Sequence, residues 1–109
     1  MYQIKTKNGY DFFEAASTFQ KTIRRGMEEE ALYWGLELFE SNFHKYAWKR
    51  MLVIAAEDVG LANPQLIVQI KALLDSDEWI QKNRKEKIPS RINFVMGILL
   101  CVRSQKSRI

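Results

Sequence analysis

Cysteine is almost missing from this chain of 109 residues, and Cys101 stands alone. No intrachain disulfide is available, and no thiolate cage can hold a metal. Histidine is as scarce: with His44 the only one, a zinc cluster or a relay between two imidazoles is excluded. No Gly-rich loop ends in Lys-Ser or Lys-Thr, which removes the usual phosphate-cradling nucleotide site. Long apolar runs are absent too. The opening MYQIKTKNGYD has lysines but no apolar stretch behind them, and the longest run, Phe94–Val102, holds nine residues, against about 20 for a bilayer span. No targeting or spanning segment is expected, and a cytoplasmic residence fits the single thiol.

What remains is ordinary globular material. Residues are 47% hydrophobic and 28% charged, with five Gly and two Pro, enough for one modest core in a single helical domain over 1–109. The net charge of +4 is unevenly spread. Residues 1–30 balance five basic against five acidic groups, and 31–78 carry four against seven. Residues 79–109 carry eight basic groups against Glu86 alone. That basic third points to an anionic partner, nucleic acid or an acidic protein surface; the competing reading is a solvated face with a ragged tail.

Apolar spacing reads as helices throughout. After a lead over 1–9 with the turn signal Asn8-Gly9, Asp11 and Glu14 have capping-box spacing. Phe12, Ala15, Ala16, Phe19 and Ile23 then recur up to Arg24-Arg25, and Gly26 stops the first helix. Three glutamates, Glu28 to Glu30, open the second, where free amide N–H groups favour negative charge. It carries Ala31, Leu32, Trp34, Leu38 and Phe39. Ser41-Asn42 breaks the pattern. A third helix is expected from about Phe43 to Asp58, with Tyr46, Ala47, Met51, Ile54 and Ala55 on its apolar side and Gly60 as its stop. Asn63-Pro64 reads as a cap and first-turn proline for a fourth, whose inward side is Leu66, Ile67, Ile70, Leu73 and Leu74. Trp79 and Ile80 are expected to anchor a separate short helix, followed by the charged QKNRKEK. Pro89-Ser90 opens a last helix with Ile92, Val95, Met96, Leu99, Leu100 and Val102 as its apolar side, Gly97 permitting close contact, and a basic flexible tail over 103–109.

The pair Glu57-Asp58 tests for chemistry. Side chains adjacent on a helix point about 100° apart, a poor arrangement for one metal or one shared proton, so a structural role at a helix junction is expected. No catalytic residue, metal or cofactor is assigned, and the chain is not read as an enzyme. Candidate interaction residues are Phe12, Phe13, Phe43 and Trp48 as apolar anchors, with Trp79 beside the basic segment.

Two segments, KTIRRGMEEEALYWGLELFE and YAWKRMLVIAAEDVGLANPQ, resemble the region that follows the ATPase module in clamp-loader-like AAA+ proteins. The family is that of replication-associated recombination protein A, Mgs1 and Werner-interacting protein. The resemblance rests on Ile23-Arg24, Gly26, Glu29-Glu30-Ala31-Leu32-Tyr33-Trp34, Lys49-Arg50, Ile54-Ala55 and Glu57 to Pro64. Ala56 departs from a usual serine, and Met27-Glu28 from a polar-Asp-Pro turn. The resemblance implies an all-α fold, a compact bundle of five to six helices like a clamp-loader-type collar domain, without the motor. It implies packing of Ala31, Leu32 and Trp34 against Ile54 and Ala55. Arg24, Gly26, Arg50, Glu57, Asp58, Gly60, Asn63 and Pro64 would shape the helix junction, the carboxylates pairing with Arg24 or Arg50.

Two functions follow as expectations. The first is a non-catalytic replication or recombination accessory module for protein assembly, through self-association or with a full-length AAA+ relative. The second is sequence-independent binding of single-stranded or forked DNA through Lys82, Arg84, Lys85, Lys87, Arg91, Arg103, Lys106 and Arg108. Neither involves a membrane or a small-molecule substrate.

Overall fold

The computed structural model describes residues 4–84 and 91–107. Five α-helices follow in order, with an irregular joint after the third. They are α1 Phe12–Arg24, α2 Glu28–Phe39, α3 His44–Ile54, then a π turn Ala55–Val59 and a 3-10 turn Gly60–Ala62, then α4 Gln65–Asn83 and α5 Ile92–Arg103. The fold is all-α. Among the described residues the extended pairing is one isolated bridge, Lys5 to Asp11.

The starts and stops follow local chemistry. The Asp11 carboxylate accepts the Glu14 amide at 3.0 Å, satisfying one of the orphan donors at the start of α1. Gly26 ends the first turn region with φ +70° and Gly60 ends the π turn with φ +48°, both in the left-handed region that costs a side-chain-bearing residue. The third helix is shorter than its apolar pattern: it gives way to the wider π turn at Ala55, before Glu57-Asp58.

The fourth helix is longer. It runs unbroken for 19 residues through Asp75, Ser76 and Asp77, so Trp79 and Ile80 belong to its last turns rather than to a separate helix. No Pro or Gly interrupts that stretch, and Lys71 pairs with Asp75 one turn on at 2.7 Å, a spacing that supports helix.

One core unites all five helices. Phe94 of α5 is its aromatic hub, stacked on Phe39 of α2 at 4.6 Å and edge-on to Trp48 of α3 at 5.3 Å. Around it lie Phe19, Ile23, Leu38, Met51, Ile54, Leu66, Ile70 and Ile98, all fully buried. Each such side chain contributes about 1.5–3 kcal/mol by leaving water.

Helices α2 and α5 run antiparallel and are clasped at both ends. Glu28, at the start of α2, binds Arg103, at the end of α5, through two contacts of 2.8 and 3.3 Å. Glu40, capping the end of α2, binds Arg91, capping the start of α5, at 2.7 Å. The first pair also suits the helix dipoles; the second offsets two charges that the dipoles disfavour.

The N-terminal lead docks on α2. Glu37 is buried, and its carboxylate accepts the Asn8 amide N–H at 2.9 Å and the Asn8 side-chain amide at 2.6 Å. Burial alone would raise this carboxyl, but hydrogen bonds from Thr6 and Asn8, with Lys7 nearby, hold it below the ordinary value. At the other terminus, residues 104–107 are tied down rather than frayed. The Ser107 amide bonds the Asp58 carbonyl at 2.8 Å, and the half-buried Lys106 donates to the Val102 carbonyl at 2.9 Å.

Candidate assembly surfaces

The joint between α3 and α4 is a polar knot against α1. The Gln20 side-chain amide reaches both Glu57, at 3.2 Å, and Asp58, at 3.1 Å. Arg24 completes it with a 3.0 Å ion pair to Asp58. Of the two arginines expected to pair with these carboxylates, Arg24 does so. Arg50 does not: its Nε is buried without a hydrogen-bond partner among the described residues. Asn63, at the start of the next loop, contacts Ser104 at 3.4 Å. The knot therefore gathers α1, the π turn and the segment after α5.

Among the described residues no group of three or more His, Cys, Asp or Glu is placed to hold a metal ion. Burial pushes the Cys101 thiol up to about 12, so it is a packing group rather than a nucleophile. Among the described residues no helix is long and apolar enough to cross a membrane.

The basic candidates separate into engaged and open side chains. Arg91 and Arg103 hold the two ends of α2, about 18 Å apart at roughly 1.5 Å per residue. Lys106 faces inward onto backbone carbonyls, and burial lowers its pKa. Arg84 is partly buried where α4 ends, and Lys82 is exposed on the last turn. Lys85, Lys87 and Arg108 lie outside the described residues.

The apolar candidates are also redistributed. Phe12 and Trp48 are core residues, not exposed anchors, and Phe43 packs partly buried against the core. Phe12 rests on Phe43 and Tyr46 with ring centres 4.5 and 4.7 Å away. Phe13 and Trp79 are exposed, at 63% and 66%. Trp34 is half-buried against Tyr10 at 4.7 Å.

Helix α5 departs most from its expected orientation. Its buried stripe is Phe94, Gly97, Ile98, Cys101 and Val102. Ile92, Met96 and Leu100, taken from the pattern as inward, are exposed, Ile92 at 70%. They stand at i, i+4 and i+8, on one side of the helix, and Met96, Leu99 and Leu100 line a shallow groove of about 350 Å³. The outer side of α4 is similar: Ile67, expected inward, is exposed with Val68 and Trp79. Both helices are thus apolar on a side the monomer leaves uncovered.

Comparison with known proteins gives this helical module its family. Residues 27–81, from the start of α2 almost to the end of α4, match the C-terminal region of the MgsA AAA+ ATPases. The chain belongs to that family. It is 41% identical over 59 residues to replication-associated recombination protein A of Bacillus subtilis, covering 54% of this chain and 14% of that protein. The protein of the same name from Haemophilus influenzae is 35% identical over 60 residues, covering 54% and 14%. The ATPase WRNIP1 of Dictyostelium discoideum is 34% identical over 61 residues, covering 55% and 7%. The chain therefore spans only a small part of the relatives it matches. What it shares is their C-terminal region, not their ATPase core, and this MgsA-type module is non-catalytic. The polar carboxylate pair and Arg50 fall inside the matched region; Gln20, Arg24 and all of α5 fall outside it.

Proposed function

We propose that this MgsA-type module is an accessory protein of replication and recombination that works by assembly, first with further copies of itself. The observation that carries the reading is α5, apolar on two sides with one side covered. A helix hydrophobic all round is normally a buried helix, and the exposed stripe Ile92, Met96 and Leu100 supplies the second buried side once a partner is present. Ile67, Val68 and Trp79 on the outside of α4 are further exposed apolar residues. The family relation supports the same reading, and docking on a full-length AAA+ relative is its second form.

Sedimentation velocity over a concentration series tests it. The parent chain is expected to associate, and Met96→Glu with Leu100→Glu to remain monomeric with unchanged helicity. A parent chain that stays monomeric alone and when mixed with the Bacillus subtilis relative refutes the assembly role.

Direct DNA binding has less geometric support, because Arg91, Arg103 and Lys106 already serve contacts within the fold. Fluorescence anisotropy with single-stranded and forked DNA at two salt concentrations decides it. Micromolar binding that falls steeply with salt would favour phosphate contacts.

A further inference from the structure

A separate groove of about 490 Å³ lies between α3 and α4, lined by Trp48, Leu52 and Leu74, with Asp77 among its residues. It shares no residue with the α5 stripe. Its volume falls in the range of sites that take a ligand or an anchoring side chain. Lys45 and Lys49, one turn apart on α3, and Lys82 on α4 line the rim with the exposed Glu78 of α4, which leaves the rim net basic. All three lysines are exposed, and none takes part in the ion pairs among the described residues.

The floor is unfinished. Asp77 is only 5% exposed, yet its Oδ1 has no hydrogen-bond partner among the described residues, and neither has the Trp48 indole N–H. The Trp48 indole lies close enough to favour the charged carboxylate. Burial raises the Asp77 pKa, against His44 and Gln81, which favour ionisation. Leaving such groups unpaired is costly. A group that both donates and accepts, such as a carboxamide or a main-chain peptide unit, fits one orphan acceptor beside one orphan donor.

We propose that this groove is a docking site for a short, acidic, amphipathic segment of a partner protein. Its apolar side chain sits on Trp48, Leu52 and Leu74, and its acidic residues meet Lys45, Lys49 and Lys82. A small rotation of the Asp77 side chain brings the carboxylate to the segment's amide. Helix-in-groove and extended-peptide sites elsewhere divide the work in this way, apolar anchors for affinity and rim charges for selection.

The probe is a displayed library of random short peptides selected on the intact chain, followed by titration of the enriched sequences into isotope-labelled protein. Enriched peptides are expected to be acidic around one large apolar residue and to shift the Trp48 indole N–H resonance. Lys45→Glu with Lys49→Glu is expected to weaken them by roughly tenfold or more, without loss of helicity, since both lysines are exposed. The proposal is overturned by a selection that enriches nothing. It is equally overturned by enriched peptides that are basic, that shift Ile92, Met96 and Leu100 instead, or that bind the double variant equally well. Failure of self-association would leave these outcomes unaffected.

Discussion

Gly35 sits where α2 passes closest to α1 and α5, and replacing it tests the packing on which the bundle depends. A Cβ added there would lie 2.6 Å from Ile98 Cδ1 and 2.8 Å from Phe19 Cε1. Both neighbours are fully buried, and an aromatic ring edge has no torsion of its own to retreat through. Gly35→Ala gains about 1 kcal/mol of helix propensity. It also forces overpacking that costs about 1–3 kcal/mol. The expected balance is a net loss of about 1 kcal/mol, or about 4–8 °C in Tm for a domain of this size. Gly97→Ala is the control. There the nearest atoms belong to the Met51 thioether, at 2.5 and 3.3 Å, and a flexible chain yields more readily, so its loss is expected to be smaller. Urea unfolding followed by tryptophan fluorescence measures both. A cycle with Ile98→Val, which removes one of the two clashing atoms, is expected to make the Gly35→Ala penalty smaller in that background. If Gly35→Ala is as stable as the parent, or if Gly97→Ala costs more, the close-packing argument fails.

Two buried carboxylates are expected to respond to pH in opposite ways. The folded Glu37 pKa is lowered, so its stabilisation is present above the ordinary carboxylate range and lost as pH falls through the folded value. Glu37→Gln is expected to be less stable at neutral pH by about 1–3 kcal/mol, the gap closing in acid melts. The folded Asp77 pKa is raised, so its ionised form opposes folding at neutral pH. Asp77→Asn is expected to melt at least as high as the parent, its advantage shrinking as pH falls through the raised value. At the joint, a double-mutant cycle of Arg24→Ala and Asp58→Ala is expected to show a coupling below about 1 kcal/mol, because Arg24 is half exposed; a larger value would mean that the pair is better shielded than its exposure indicates. Cys101 is expected to resist thiol reagents in the native state and to react on unfolding; rapid native labelling would contradict its burial.

Where local chemistry decides an element, it was readable in the chain. Asp11 caps because its oxygen reaches an orphan amide, and Gly26 and Gly60 stop because the backbone turns left-handed there. Asp58 of the Glu57-Asp58 pair binds Arg24, one of the two partners its sequence context named. The orientation of α5 was not readable, because both sides of INFVMGILLCVR are apolar. With no polar side to mark the outside, the choice of Phe94, Gly97 and Ile98 as the buried stripe is made by Met51, Ile70 and Phe39 across the interface. The length of α4 was hidden for a related reason: Asp75, Ser76 and Asp77 look like caps, yet with no breaker nearby the helix continues. Glu37 and Asp77 escaped notice because charged residues are seldom buried, and only the tertiary fold brings Asn8 or Trp48 to them.

The helix that misled the periodicity is also the helix that carries the functional reading. An apolar pattern reports every side chain that avoids water at some stage, whether it is buried by its own fold or by a partner. On α1 the two coincide, since its inward stripe of Phe12, Ala15, Ala16, Phe19 and Ile23 is buried as spaced. On α5 they do not. Phe94, Ile98 and Cys101, all fully buried, fix the helix so that Ile92, Met96 and Leu100 cannot turn inward without displacing them, and the exposed pairs of Arg91 and Arg103 with the ends of α2 add only weakly to this. The same arginines that made this region look like a nucleic-acid surface are engaged by Glu40 and Glu28 of α2. With these charges engaged within the fold, the assembly proposed for α5 favours a protein partner over DNA.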